Sequence, residues 1–306
     1  MKKTEDCFLK IKNDYLNFLS KEKIFDKSKT DKIKSLKKIY IPMSFWINNK
    51  YKKKGKTLIL GLSGGQGSGK TTVTVILKII LEKFFKRQVY ITSIDDFYKT
   101  LKDRNKMSHK IHHLFKTRGV PGTHDINLIR KFFSFIKKRN FKSFKMPKFD
   151  KSIDDRLEKK YWSCINKRPE IVILEGWCIG AKHQSNSLLK KPVNTLEKKE
   201  DKNLIWRSYV NKKLKKEYKF FFDILDHLIF IKVPNFKMVL KWRELQERKL
   251  KKKSFWNKKI MSYHQIKRFV MFYERITLQM IRDLSKSASV VMHLKNNHEI
   301  KKIMFK

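Results

Sequence analysis

Cysteine is scarce in this chain of 306 residues: it has three, Cys7, Cys164 and Cys178, and none has the spacing of a metal site. So sparse and odd a set predicts a reducing cytosol, and we expect a cytoplasmic protein. No apolar run approaches 18 residues, because lysines interrupt every candidate, so we expect no transmembrane helix. We expect no secretory signal peptide either, since Met1-Lys-Lys is followed at once by Thr-Glu-Asp.

Acidic residues are also few, 28 against 75 lysines and arginines, which gives a formal net charge of +47. Such a charge is compatible with nucleic acid or an anionic membrane as partner. The lysines, however, are spread over nearly every segment, which favours solvated faces over a focused groove. A hydrophobic content of 41% argues against global disorder, and the length allows a sizeable core.

One glycine-rich stretch carries a chemical signature. Gly64 to Thr71 spells G-x-x-x-x-G-K-T, the phosphate-loop pattern, in which backbone N–H groups surround an anion, the lysine reaches the β- and γ-phosphates and the threonine hydroxyl ligates Mg²⁺. A short apolar run, Thr57 to Leu62, precedes it, and a helical pattern from Thr71 to Phe85 follows. Strand, turn and helix are the context that the motif requires. We predict a nucleotide site made of Gly64, Gly65, Gln66, Gly67, Ser68, Gly69, Lys70, Thr71 and Thr72.

The rest of the chain alternates strands with helices. Predicted strands are Val89–Ile94, Ile171–Leu174, His227–Val233 and, as the last one, Val290–Leu294. Alternation of this kind predicts an α/β fold with a doubly wound, mostly parallel sheet. We see no internal repeat.

Three carboxylates follow two of these strands. Asp95 and Asp96 come directly after the predicted strand Val89–Ile94, and Glu175 comes directly after Ile171–Leu174. Because ligands bind outside the carboxyl ends of parallel strands, these groups and the phosphate loop should meet in one crevice. Mg²⁺ prefers oxygen ligands, and an acceptor hydroxyl needs a base, so the set fits phosphoryl transfer. Alone, the aspartates would be read as a capping pair and Glu175 as a solvated acid.

Other candidates remain open on spacing alone. Arg243 and Arg248 lie on a helix that leads into a lysine-rich segment, which fits either a lid over the triphosphate or solvated arginines. His124 would either bind substrate or merely cap and pack. Trp177 and Trp242 are predicted to lie in the core.

Several further stretches, in consistent order between about residues 40 and 300, resemble one family. They are Ser93-Ile-Asp-Asp-Phe-Tyr98, Arg118-Gly-Val-Pro-Gly-Thr-His-Asp125, Pro147-Lys-Phe-Asp-Lys-Ser152, Glu175-Gly-Trp177, Trp242-Arg-Glu-Leu-Gln-Glu247, Met261-Ser262 and Phe272-Tyr-Glu-Arg-Ile-Thr277. The set is similar to the signatures of phosphate-loop D-glycerate 3-kinases, the plant-type enzymes and their bacterial and fungal relatives. These belong to the wider uridine kinase, pantothenate kinase and phosphoribulokinase group.

The resemblance implies a role for each matching residue. It makes Asp95 the base that accepts the substrate hydroxyl proton. It puts Thr71 and Glu175 at Mg²⁺, with Asp95 or Asp96 nearby, and we assign Asp96 to the metal. Lys70 of the phosphate loop is the second catalytic group. Arg243 and Arg248 correspond to the lid. The acceptor side comprises Arg118, His124, Asp125, Lys151 and Arg156.

We therefore expect an ATP- and Mg²⁺-dependent kinase of a small hydroxy acid, first of all D-glycerate. The alternatives are a kinase of the same fold that acts on a nucleoside or a pantothenate-like acceptor, and a basic nucleotide-dependent nucleic-acid-binding protein. Residues 1–56 would form an N-terminal helical extension and residues 57–306 the phosphate-loop kinase domain, with an insertion loop at 179–203 and a lid at 249–261.

Overall fold

The computed structural model describes residues 2–22, 28–138, 140–253 and 261–306 of the chain. Its α-helices are α1 (Lys2–Lys21), α2 (Lys29–Ser35), α3 (Ile41–Lys54), α4 (Lys70–Lys83), α5 (Leu101–Lys110), α6 (Ile126–Lys137), α7 (Asn186–Lys190), α8 (Thr195–Glu200), α9 (Ile205–Lys213), α10 (Lys219–Phe222), α11 (Phe236–Lys253) and α12 (Tyr263–Ser287). Its strands are β1 (Leu58–Gly64), β2 (Val89–Ser93), β3 (Phe144–Met146), β4 (Phe149–Asp150), β5 (Asp155–Arg156), β6 (Ser163–Ile165), β7 (Ile171–Gly176), β8 (His227–Lys232), β9 (Val290–Leu294) and β10 (Ile300–Phe305).

The central sheet has six strands in the order β10, β9, β8, β1, β7, β2. β1 pairs in parallel with β7 on one side and with β8 on the other, and β2 and β9 continue the sheet in parallel. The strand order reverses at β1, which makes the end of this strand the switch point where open α/β sheets bind their ligands. The predicted doubly wound, mostly parallel α/β sheet is confirmed.

The expectation that Val290–Leu294 is the last strand is wrong. β10 follows it and pairs antiparallel with β9, with an irregularity between Ile300 and Lys302. Its sequence mixes isoleucine with lysine, and its side chains are half-buried or exposed. An edge strand of this composition lacks the apolar run that identifies a buried strand.

Helices cover both faces of the sheet and divide the core in two. One layer joins α1, α3, α4 and α11 to the sheet, with Tyr15, Ile47, Ile80 and Trp242 among its buried side chains. The other layer joins α6, α9 and α12, with Phe132, Tyr218 and Phe272 among its members. None of the helices in the described ranges is both long and apolar enough to cross a membrane.

The structure describes one of two predicted special segments, the insertion loop at 179–203, and only part of the other, the lid at 249–261. Residues 179–203, expected as an insertion loop, contain the short helices α7 and α8. The buried carboxylate of Glu197 in α8 accepts hydrogen bonds from the Arg275 guanidinium at 2.6 and 2.7 Å, which ties this segment to α12. The expected lid at 249–261 falls mainly on residues 254–260, which lie outside the described ranges.

Candidate active site

The phosphate loop joins the end of β1 to the start of α4. Gly67 has φ +74°, and a Cβ on it would lie 2.8 Å from the Trp242 Cβ, so only glycine fits there. α4 begins at Lys70, and its first turn points backbone N–H groups toward the loop. The Oγ of Ser68 and the Oε1 of Gln66 are buried without a hydrogen-bond partner in the described part of the chain. The loop therefore offers an anion site with polar groups still to be satisfied.

Lys70 and Thr71 are both held by neighbours at this loop. The Lys70 ammonium donates to the carbonyls of Gly64 and Gly65 at 3.1 and 3.2 Å. Burial lowers the pKa of Lys70, and the nearby carboxylates of Glu175 and Asp95 oppose that effect. The Thr71 hydroxyl lies 3.0 and 3.2 Å from the two carboxylate oxygens of Glu175, to which it donates.

The three strand ends meet as expected. Glu175 on β7 is in register with Leu62 of β1 on one side and with Ser93 of β2 on the other. Burial raises the pKa of Glu175, with the Lys70 ammonium and the Thr71 hydroxyl acting in the opposite direction. Asp95 lies in the 3₁₀ turn that follows β2, where the Ser93 hydroxyl caps the turn by accepting from the Asp95 N–H at 3.2 Å.

Asp95 forms an ion pair with Lys151. The Lys151 ammonium lies 2.7 Å from the Asp95 Oδ2 and comes from the loop between β4 and β5. Burial works to raise the pKa of Asp95, but Lys151, together with smaller contributions from other neighbouring groups, outweighs that effect and the pKa is about 2. Asp95 is therefore ionised at neutral pH.

These groups surround a single cavity of about 240 Å³. It is lined by Gln66, Gly67, Lys70, Thr71, Ser93, Asp95, Tyr98, Arg118, Lys151, Glu175, Gly176, Trp177, Arg243, Gln246, Phe269 and Tyr273. Four cationic side chains and two carboxylates thus face one space, which suits the binding of anions.

Asp96 is not among the residues that line this cavity. It hydrogen-bonds instead with the backbone of Phe149 and Ser93, and burial raises its pKa to about 6. The two neighbouring aspartates therefore have different surroundings, and the predicted metal role of Asp96 has no support in this geometry.

Arg118 and Arg243 line the cavity from distant positions in the chain. Arg118 forms an ion pair with Asp154, which also binds the fully buried Arg104. Arg243 on α11 donates to Gln246 at 3.2 Å and pairs with Glu247. Arg248, one turn further along α11, is exposed and is not among the residues that line the cavity.

The other three residues assigned to the acceptor side do not reach the cavity. Arg156 donates to the Tyr98 carbonyl at 2.7 and 3.0 Å and to the Asp125 carboxylate at 3.3 Å, while Asp125 also caps α6. His124 is 1% exposed. Its side chain hydrogen-bonds with the Tyr218 hydroxyl. The backbones of Thr123 and Asp125 are in turn hydrogen-bonded to the segment that follows Asp95.

Aromatic residues of the cavity wall were missed in the sequence. Phe269 and Tyr273 lie four residues apart on α12, a spacing that predicts a core-facing stripe. Trp177, read as core, is 4% exposed yet lines the cavity and donates to the Gly119 carbonyl at 2.9 Å. Tyr98 ends the Asp-Asp-Phe-Tyr stretch, and its position two residues after the carboxylates indicates that it lies near the cavity.

A second cavity of about 240 Å³ shares Gly67 and Gln246 with the first. Its apolar wall comes from the N-terminal helices and from strand ends, and Asn297 and His298 give it a polar rim. His298 stacks on Trp242 with ring centroids 4.0 Å apart and hydrogen-bonds with the Gly67 carbonyl at 2.9 Å. The phosphate loop therefore lies between two connected spaces.

A phosphate loop at a parallel-sheet switch point, with a carboxylate and a threonine hydroxyl beside it, is the site of a phosphate-loop nucleotide-binding protein, a class that includes kinases. No family model matches the chain. It is 30% identical over 230 residues to a Schizosaccharomyces pombe protein named "Uncharacterized kinase mug58", covering 72% of this chain and 80% of that protein. It is 28% identical over 221 residues to the chloroplastic D-glycerate 3-kinase of Arabidopsis thaliana, covering 67% of this chain and 46% of that protein.

The fold is similar to that of a solved D-glycerate 3-kinase from Cryptococcus neoformans, with a TM-score of 0.73 and 23% identity, over 88% of this chain and 99% of that one. The chain spans about half the length of the plant relative. It belongs to the phosphate-loop kinase family that includes D-glycerate 3-kinase and its fungal relatives. It is a phosphotransferase with an alcohol group as acceptor.

Proposed function

We propose that this kinase transfers the γ-phosphoryl group of ATP to a hydroxyl of a small hydroxy acid, D-glycerate before others, giving 3-phosphoglycerate. The observation that carries the proposal is the cavity in which the ionised carboxylate of Asp95 lies beside two cations, Arg118 and Lys151, close to the phosphate loop. The cations suit an acceptor that is itself an anion. The plant relative at 28% identity is named as a D-glycerate 3-kinase, which supports the choice of acceptor.

Four side chains of the cavity have definite tasks in this reaction. Lys70 leaves the Gly64 and Gly65 carbonyls and binds the phosphate oxygens. Asp95 accepts the proton of the acceptor hydroxyl as the new oxygen–phosphorus bond forms and the bond to the β-phosphate oxygen breaks. Lys151 must first leave Asp95, and the acceptor carboxylate offers it and Arg118 a new partner. This exchange would couple acceptor binding to exposure of the base.

Thr71 and Glu175 fit the Mg²⁺ that such a kinase uses. Their oxygens lie together at the phosphate loop, and hard cations prefer oxygen ligands. No cluster of three or more His, Cys, Asp or Glu side chains suited to a metal occurs among the residues that the structure describes. Mg²⁺ usually keeps waters and binds phosphates through few protein ligands, so two residues are enough. When bound, the ion neutralises charge on the phosphates.

The second cavity suits the nucleoside part of ATP. Gly67, Ser68, Gly69 and Thr72 of the phosphate loop line it, so a nucleotide with its phosphates in the loop would extend into it. Its walls combine apolar and polar groups, as expected for a base and a ribose. Tyr15 and Tyr40 of the N-terminal segment contribute to these walls, which would give that segment a part in nucleotide binding.

A coupled ADP-release screen tests the acceptor. It should include D-glycerate, its L-enantiomer, other small hydroxy acids, neutral polyols such as glycerol, nucleosides and pantothenate. We expect turnover with D-glycerate and little with glycerol, which lacks the carboxylate that Arg118 and Lys151 would bind. Turnover with a nucleoside or pantothenate and not with D-glycerate would show that the proposed acceptor is wrong. The absence of turnover with every compound in the screen would overturn the proposal.

A matched variant makes this test specific to the cavity. Lys151→Met keeps the length of the side chain and removes its charge, so it should raise the KM for D-glycerate and leave the ATP Kd nearly unchanged. Lys148→Met, on an exposed lysine just before β4, is the control. Equal effects of both variants would mean that the acceptor responds to overall charge and not to the cavity.

A further inference from the structure

His124 lies in a buried polar network that the proposed reaction does not use. Its Nδ1 lies 2.6 Å from the Tyr218 hydroxyl, and both side chains are almost fully buried. The Tyr218 hydroxyl accepts a hydrogen bond from the Gly122 N–H at 3.0 Å, so its own proton is available for Nδ1. The ring proton of a neutral His124 is then on Nε2. Burial lowers the pKa of His124 to about 3, so the ring is neutral.

The imidazole packs flat against the ring of Tyr98. The two ring centroids lie 4.5 Å apart with an interplanar angle of 23°, and a β-bridge joins the two backbones. Tyr98 is 3% exposed, so its ring has little freedom to move away from this stack. Phe149 packs edge-on against the Tyr98 ring, at 5.2 Å. The orientation of Tyr98 is therefore set by its neighbours, His124 among them.

Tyr98 in turn contacts the proposed base. Both residues line the same cavity, and the Tyr98 hydroxyl helps to lower the pKa of the Asp95 carboxyl. The charge of Asp95 also acts directly on His124. One buried chain of contacts thus runs from the Gly122 N–H through Tyr218, His124 and Tyr98 to Asp95.

The Nε2 of His124 has no hydrogen-bond partner among the described residues. A buried N–H without a partner is destabilising, and an apolar side chain in the same place would avoid that cost. A histidine is more useful than leucine or methionine here because it combines an acceptor for Tyr218 with a flat face for Tyr98.

We propose that His124 is a positioning residue for Asp95, acting through the Tyr98 ring that it holds in place, and not a residue that binds the acceptor. The inference rests on the proposed function, because it takes Asp95 as the base. It predicts that loss of His124 lowers the rate of phosphoryl transfer without weakening nucleotide binding.

A double-mutant cycle with Asp95 tests this role. The variants are His124→Asn, Asp95→Asn and the pair, assayed with radiolabelled ATP and D-glycerate for kcat and KM and by nucleotide titration for the ATP Kd. We expect His124→Asn to lower kcat roughly 10- to 100-fold, the usual cost of a small misplacement of a reacting group. In the Asp95→Asn background the same change should alter kcat less than about twofold, because a base that is absent cannot be mispositioned.

The control is His227→Asn, at a histidine that packs edge-on against Trp46 with ring centroids 5.0 Å apart, on β8. We expect it to keep the kcat of the unmodified protein. If His124→Asn does not fold, Tyr218→Phe and Tyr98→Phe replace it in the cycle. Each removes one hydroxyl from the chain of contacts. Each should lower kcat and lose its effect in the Asp95→Asn background.

The outcomes separate the two proposals. If Asp95→Asn keeps its kcat, the base of the proposed function is wrong. If Asp95→Asn is slow but His124→Asn has no effect on kcat, or has the same effect in both backgrounds, the base stands and the positioning role is overturned. A large rise in the KM for D-glycerate at unchanged kcat would show that His124 serves acceptor binding, which also overturns it.

Discussion

The replacement of Asp95 by asparagine is the most direct test of the cavity. Asp95→Asn keeps the size of the side chain and its hydrogen-bonding reach but removes its basicity. Positioned general bases contribute about 10²–10⁴-fold to rate, so we expect kcat to fall by that factor, or about 2.7–5.5 kcal/mol in activation free energy. Because the pKa of Asp95 is about 2 in the free enzyme, the carboxylate is already ionised there, and the loss in kcat/KM should be the same from pH 6 to pH 8.

Asp96 provides a matched control one residue away. Asp96→Asn removes a carboxylate from the same 3₁₀ turn, but Asp96 is not among the residues that line the cavity. The assay is kcat by coupled ADP release and ATP Kd by titration for both variants, with thermal unfolding as a check on the fold. We expect Asp96→Asn to be clearly milder and both ATP Kd values to change little. An inactive Asp96→Asn beside an active Asp95→Asn would refute the assignment of the base.

Four further predictions concern the phosphate loop, two glycines and the net charge. Lys70→Ala should abolish turnover and leave the melting temperature nearly unchanged, since Lys70 serves phosphate charge; normal turnover would contradict the nucleotide site. Gly119→Ala should lower the free energy of unfolding by roughly 2–5 kcal/mol, because φ is +133° and the new Cβ would lie 2.2 Å from the Tyr273 hydroxyl. Gly55→Ala, at φ +66° with open space around it, should cost only about 1–2 kcal/mol in the same unfolding experiment. Raising salt from low to physiological levels should change the acceptor KM less than about tenfold if the charge is a diffuse field, and a steeper change would favour a polyanionic partner.

The phosphate loop and the carboxylates at the strand ends could be predicted because their chemistry is local. Gly64 to Thr71 must form a turn between a strand and a helix, and parallel strands bring Asp95 and Glu175 to the same edge of the sheet. Their positions relative to the predicted strands are enough to predict that they surround one cavity, without any knowledge of side-chain packing.

The acceptor side could not be predicted in the same way. His124 and Arg156 stand in or near stretches that resemble the family, but their partners, Tyr218 and the Tyr98 carbonyl, lie 94 and 58 residues away in the chain. Asp125 pairs with Arg156, which is 31 residues away. The place of Phe269 and Tyr273 in the cavity wall could not be predicted for a different reason. Side chains that line a cavity and side chains that face the core have the same helical spacing. Such distinctions depend on tertiary contacts.

The edge strand β10 has a consequence for association between copies of the chain. An unpaired sheet edge offers a row of N–H and C=O groups to which a foreign strand can add. Here that edge carries Lys301 and Lys302, both exposed, and its pairing with β9 is irregular between Ile300 and Lys302. Adding a second copy would bring these lysines against their own counterparts without neutralising charge. The sheet is thus protected at this edge against growth into larger β-aggregates.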